Sequence, residues 1–172
     1  MNQLTLRRAL PEDAEKIIHV TKQGFKQYAA TVNDFESIKA LHESLDDVLI
    51  DIKNNYVFVC EVDNELLGSL RIAVLEKGIA YLSRFAIHPK AQNLGLGGIL
   101  LEKAKLECYS MGIKAITLYT ASRMRSSVIF YLKNGYYIHS IDNSAAYLRA
   151  FMVNELTEMD EKFDYESIVN QH

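Results

Sequence analysis

The chain has 172 residues, 49% of them apolar and 24% charged, with a net charge of −3. That balance fits one soluble globular domain with a core of its own, and excludes a wholly disordered chain or a disulfide scaffold. The apolar runs are short and broken by charges, so none reads as a membrane span, and residues 1–8 lack the basic-then-apolar order of a signal peptide.

Residues 5–8 read as a first strand. Pro11, Glu12 and Asp13 then open a helix, where a proline and acids suit unpaired N–H groups and the positive dipole end. Ala14, Ile17, Ile18, Thr21 and Phe25 share a face, which predicts a helix to about residue 22, with Gly24 weakening its end. A second helix is expected from about Asp34, where Phe35, Ile38, Leu41, Leu45, Val48, Leu49 and Ile52 recur at threes and fours. Glu36, Lys39, Glu43, Asp46 and Asp47 lie on its opposite face, and Asn54 and Asn55 stop it.

The period then becomes that of strands. Residues 56–62, 66–75 and 79–88 form a meander, turned at Asp63, Asn64 and Glu65 and again at Glu76, Lys77 and Gly78, and ended by Pro89. Residues 95–111 predict a helix with Leu100, Leu101, Ala104, Cys108 and Met111 inward, stopped by Gly112. Cys60 and Cys108 lie in apolar-periodic segments and read as buried thiols in a reducing cytoplasm. A short strand at 115–120, a short helix around 128–132 closed by Asn134 and Gly135, and strands at 136–141 and 147–153 complete the order β-α-α-β-β-β-α-β-α-β-β. This is an α/β (α+β) chain with a mixed, mostly antiparallel sheet of about seven strands and helices on both faces.

No repeat or linker interrupts residues 1–154, which read as a single domain. Residues 155–172 hold six carboxylates against Lys162, a net −5 that leaves the body at +2. So mild a basic excess makes no case for nucleic acid, and it suits a small anionic ligand. In the acidic tail Leu156, Met159 and Phe163 stand at helical spacing. Docking on the body, docking on a second subunit in a homodimer, and a solvated end all remain open.

The most informative segment joins a strand to a helix: Ile87, His88, Pro89, Lys90, Ala91, Gln92, Asn93, Leu94, Gly95, Leu96, Gly97 and Gly98. Glycines at a helix start let the backbone and its unpaired N–H groups approach an anion, which suits a phosphate or pyrophosphate. A tight turn needing glycine only for its dihedrals is the competing reading. The spacing is neither a dinucleotide fingerprint nor a P-loop.

Gln92, Gly95 and Gly97, following a strand that ends Phe85-Ala86-Ile87-His88-Pro89, resemble motif A of the GCN5-related N-acetyltransferases. Val128, Ile129, Phe130, Tyr131, Leu132, Lys133, Asn134, Gly135 and Tyr136 resemble that family's motif B. The two blocks lie in the family's element order, and the resemblance covers nearly all of the chain except the acidic tail. It implies the acyl-CoA N-acyltransferase fold, with acetyl-CoA or another short acyl-CoA as co-substrate and no metal. The pyrophosphate would lie on the amides of Asn93, Leu94, Gly95, Leu96, Gly97 and Gly98. The pantetheine arm would pair along Phe85, Ala86 and Ile87, where the fourth and fifth strands splay.

The reaction implied is direct acyl transfer to a primary amine of a small molecule or protein, with no nucleic acid or membrane partner. Tyr131 matches the family's general acid. An ordinary phenol and thiol differ by roughly 1.5 pKa units, a gap small enough for acid catalysis. Where many members carry a glutamate, this chain has Ser83, which is no base near neutral pH, so a water chain with Ser83 as one relay, or another carboxylate such as Glu61, would drain the amine proton. His88 sits in a turn, and His19 and His42 read as satisfied or solvated helix residues. Met124 replaces a common asparagine. Its neighbours Arg123 and Arg125 would meet a CoA phosphate or form a solvated pair. The acceptor pocket is expected around a linker at residues 23–33, with Tyr81, Tyr119 and Tyr147 as further walls. An acyl-CoA sensor without turnover and an unrelated phosphate-ligand binder are the competing functions.

Overall fold

The computed structural model describes residues 3–172, which form seven strands in one mixed sheet with five helices. The strands are β1 (Leu4–Arg8), β2 (Tyr56–Val62), β3 (Glu65–Val74), β4 (Ile79–Ile87), β5 (Ala115–Ala121), β6 (Tyr137–Asp142) and β7 (Arg149–Glu155). The helices are α1 (Ala14–Val32), α2 (Leu45–Asn54), α3 (Leu96–Ser110), α4 (Arg125–Lys133) and α5 (Tyr165–Val169). Neighbours run in the order β1-β2-β3-β4-β5-β7-β6. The β4–β5 pairing is parallel, whereas β1–β2, β2–β3, β5–β7 and β6–β7 are antiparallel. None of the described helices is long and apolar enough to cross a membrane.

Contacts divide the described residues into two compact units. The first runs to Ile72 and adds Arg84–Ala104. In it Ala14, Ile17 and Val20 of α1 and Val48 of α2 pack on Val57, Val59, Leu66 and Ala86. Asp63 (φ 51°) and Asn64 (φ 67°) both take the left-handed conformation of a two-residue hairpin turn, as expected for an Asp-Asn pair.

Two helix boundaries differ from expectation. Helix α1 continues through Gly24 to Val32 and ends on Asn33 (φ 54°), so the expected linker at 23–33 is helix. Gly24 does not end the helix. It lets the helix sit against β4, since a Cβ there would lie 2.9 Å from the Cβ of Ala86. The second helix starts late: Asp34 ties its carboxylate to Ser37, residues Lys39–Leu41 form a short 3-10 turn, and α2 begins only after Ser44. Ser44 caps it reciprocally, accepting from the Asp47 N–H (3.2 Å) while its own N–H donates to Asp47 Oδ2 (2.8 Å). The apolar spacing of residues 35–41 is helix-compatible, but local side-chain caps divide the segment.

The second unit comprises Ala73–Ser83 and Lys105–His172. Ile79, Ala115, Phe151 and Val153 form its sheet-side core with Tyr165, Ile168 and Val169 of α5. The acidic tail therefore docks on this unit. Its anchors are α5 residues, with Met159 and Phe163 packed at the margin. The helical spacing of Leu156, Met159 and Phe163 gives no helix, for α5 starts only at Tyr165, behind an Asp164 cap on the Ser167 N–H (3.0 Å). Cys108 in this unit and Cys60 in the first are buried and free. Burial pushes their thiols up to about 12 and about 11, so both are inert.

Candidate active site

The glycine loop lies in the first unit. Pro89–Ala91 make a 3-10 turn, Gln92 is extended, and Asn93 (φ 64°) and Gly95 (φ 80°) are left-handed before α3 starts at Leu96. A Cβ at Gly95 would meet nothing within 4 Å, so glycine is there for its dihedral and not for space. The first helical bond of α3 runs from the Ile99 N–H to Gly95 O (3.2 Å), which leaves the amides of Leu96, Gly97 and Gly98 without a preceding helical carbonyl. Gln92 donates from Nε2 to Ile87 O (3.3 Å) and ties the loop to the end of β4, while the His88 N–H donates to Leu67 O (2.8 Å). Leu94 is exposed and Ala91 and Leu96 are buried, so the loop is pinned at both ends. This cradle fits a diphosphate: backbone donors, a left-handed turn that only small or amide side chains suit, and the dipole of a 15-residue helix.

The end of β4 carries a second distortion. Arg84 has φ 52° inside the strand, where a left-handed arginine costs of order 1–3 kcal/mol. Its Nε–H donates to Glu43 Oε1 at 2.7 Å. Glu43 is itself buried and accepts from Arg71 Nη1 (2.6 Å) and Nη2 (2.8 Å). Arg71, only 3% exposed, also pairs with Asp51, which accepts from Asn55 Nδ2 (2.7 Å). Sequence reading put Glu43 on the helix face opposite the apolar one and passed over Arg84. The available signal was Arg71, a charge inside the apolar run of β3, because a buried cation demands a carboxylate partner.

Ser83 and Tyr131 belong to the second unit. Ser83 is partly exposed near the end of that unit's share of β4, whose parallel ladder to β5 covers Ile79–Tyr81 and Ala115–Thr117. Both strands continue beyond it, β4 to Ile87 and β5 to Ala121. Tyr131 on α4 is 9% exposed, its ring 5.3 Å from Phe130 and 5.4 Å from Tyr136. Burial, reinforced by the nearby Tyr81, pushes its phenol well above the ordinary value. Tyr136 is pushed up likewise by burial, and its hydroxyl makes no hydrogen bond among the described residues.

Other candidates are committed elsewhere. Glu61 is locked to Arg7 by bonds of 2.8 and 3.2 Å and is no free base. His88 accepts from the Lys90 N–H through Nδ1 (3.3 Å) and stacks on His19 at 5.8 Å. Its pKa is lowered by burial first, then by Lys90 and His19. His42 Nε2 lies 2.9 Å from Phe35 O. Arg123 and Arg125 are exposed. Tyr119 is partly exposed; its hydroxyl donates to Asn170 Oδ1 (3.1 Å), and Arg149 stacks 4.3 Å above its ring.

Residues 26–136 match the acetyltransferase (GNAT) family. The chain belongs to that family and is a transferase of the N-acetyltransferase class. It is 25% identical over 138 residues to YhfO of Bacillus subtilis, described as an uncharacterized N-acetyltransferase, with 77% of this chain and 89% of that protein covered. Its fold is similar to PaiA N-acetyltransferase from Thermoplasma acidophilum, solved in complex with coenzyme A. The TM-score is 0.80 at 23% identity, covering 89% of this chain and 99% of that one. It is also similar to YncA from Salmonella typhimurium, solved with its cofactor acetyl-CoA, with a TM-score of 0.73 at 18% identity over 95% and 99% of the two chains.

Proposed function

We propose that this transferase moves an acetyl group from acetyl-CoA, or another short acyl-CoA, to a primary amine by direct transfer. The observation that carries the reading is the glycine loop, whose left-handed Asn93 and Gly95 open a helix with unpaired amides at Leu96, Gly97 and Gly98. Acetyl-CoA, when bound, supplies an activated thioester carbonyl. The amides from Asn93 to Gly98 hold its pyrophosphate, and the backbone of Phe85, Ala86 and Ile87 aligns its pantetheine arm. Gln92 fixes the loop through Ile87 O. Two free, buried thiols suit work in a reducing cytoplasm.

Tyr131 is the general acid that returns a proton to the leaving sulfur. Its hydroxyl is protonated at neutral pH, as a donor must be; burial raises its pKa, which widens the gap to a thiol near 8.5 and makes it a weaker acid than a free phenol. Ser83 relays the amine proton to water. Tyr131→Phe is expected to lower kcat by about 10²-fold or more while leaving the KM for acetyl-CoA nearly unchanged. Steady-state kinetics with a panel of amines check this, and a Tyr131→Phe enzyme at full rate would falsify the assignment. Because the phenol is pushed up, wild-type kcat should show no loss from tyrosine ionisation up to pH 10. Ser83 in place of a carboxylate favours one alternative, an acyl-CoA sensor. That reading predicts acetyl-CoA binding with no acetylation of any amine in the panel.

A further inference from the structure

We propose that Arg84 selects the acceptor, presenting its terminal guanidinium nitrogens to a carboxylate carried by the amine substrate. This deepens the acetyltransferase reading and rests on it. Arg84 is held in an unfavourable left-handed conformation in mid-strand, next in sequence after Ser83. Such strain persists where the surroundings impose it, and it clusters at ligand clamps. The Arg84 side chain is held by the Nε–H bond to Glu43, itself anchored to buried Arg71. Among the described residues Arg84 makes no other side-chain hydrogen bond or ion pair, so Nη1 and Nη2 keep their donors on a side chain 27% exposed.

Two carboxylates near Arg84, Glu43 and Asp51, are already committed. Both Glu43 oxygens accept from Arg71, and one also accepts from Arg84; both Asp51 oxygens accept, from Arg71 and Asn55. Asp47, whose carboxylate feels Arg71 and Arg84, accepts from the Ser44 N–H and Oγ–H through Oδ2 and faces solvent. At Glu43 and Asp51 a substrate ammonium therefore finds no oxygen without a donor, whereas a substrate carboxylate finds on Arg84 a planar fork of the right geometry.

The test offers acetyl-CoA with the common L-amino acids, each paired with its carboxamide, and with spermidine. Wild type, Arg84→Gln and Arg84→Lys are compared, with Tm and direct acetyl-CoA titration for each. The acid form should exceed its amide at least tenfold in kcat/KM for the best acceptor. Arg84→Gln should bring that ratio within about twofold, through KM, with acetyl-CoA affinity unchanged, and Arg84→Lys should restore part of it. Preference for amides or spermidine, no transfer to any acid by a wild type that binds acetyl-CoA, or an unchanged ratio in Arg84→Gln overturns the proposal and leaves the acyl-CoA site standing. A wild type that does not bind acetyl-CoA overturns both.

Discussion

Two arginines of the first unit, Arg7 and Arg84, are about equally exposed, at 30% and 27% of the side chain, yet they do different things. Arg7 spends every donor it has: Nε and Nη2 on Glu61, Nη1 and Nη2 on Asp13, and Nη1 on Arg8 O. It stitches β1 to β2 and to the start of the first helix. Arg84 spends only Nε. Exposure alone does not separate a structural cation from one available to a ligand; the count of committed donors does.

Substitutions sharpen this contrast. The largest loss of stability is expected at Arg71, whose removal in Arg71→Met leaves Glu43 buried with Arg84 alone and costs about 3 kcal/mol in a denaturant titration. Arg7→Met should cost less, about 2 kcal/mol, because Asp13 keeps the Leu10 N–H at 2.8 Å while losing its cation. Asp13 gives the same cluster a pH signature. The Arg7 hydrogen bonds hold its carboxyl below the ordinary value, against burial, which raises it. Its contribution is present above the unfolded pKa of about 3.9 and is lost as pH falls through the lower folded value. A plot of Tm against pH for Asp13→Asn should be flatter than wild type below about pH 4. Arg84→Gln should change stability least, by under about 1 kcal/mol, because Glu43 retains Arg71 and the replaced side chain is partly exposed. A loss at Arg84 as large as that at Arg7 would make it a structural residue and break the comparison.

The two backbone distortions of this unit differ in how far they were legible. Asn93 and Gly95 are residues that adopt positive φ at little cost, so the turn between the end of β4 and α3 is legible locally from residue type. Arg84 adopts the same region with nothing in its neighbours to suggest it. The partner of its side chain is Glu43, 41 positions away in sequence. The strands from residue 56 onward follow alternation and turn residues closely, and Gly112 (φ 78°) ends the helix where expected. The α1–α2 region was misjudged for two physical reasons. Gly24 serves a close approach to Ala86 instead of a helix end, and the Asp34 and Ser44 side chains interrupt a spacing that alone favours helix. Tyr131 came from the family resemblance, whereas its depth of burial, which pushes its phenol up, was not legible.

Binding of the acyl donor by the glycine loop is the claim on which all of the proposed chemistry depends. Thermal-shift titration of wild type and Gly95→Ala with acetyl-CoA, CoA and ATP tests it. At 100 times its dissociation constant, acetyl-CoA should add about 2.7 kcal/mol to wild type, a rise of several degrees in Tm and well above that with ATP. Gly95→Ala, which forces a side chain into φ 80°, should lose most of that shift. No shift with either CoA species at high concentration, or an equal shift in Gly95→Ala, would contradict it.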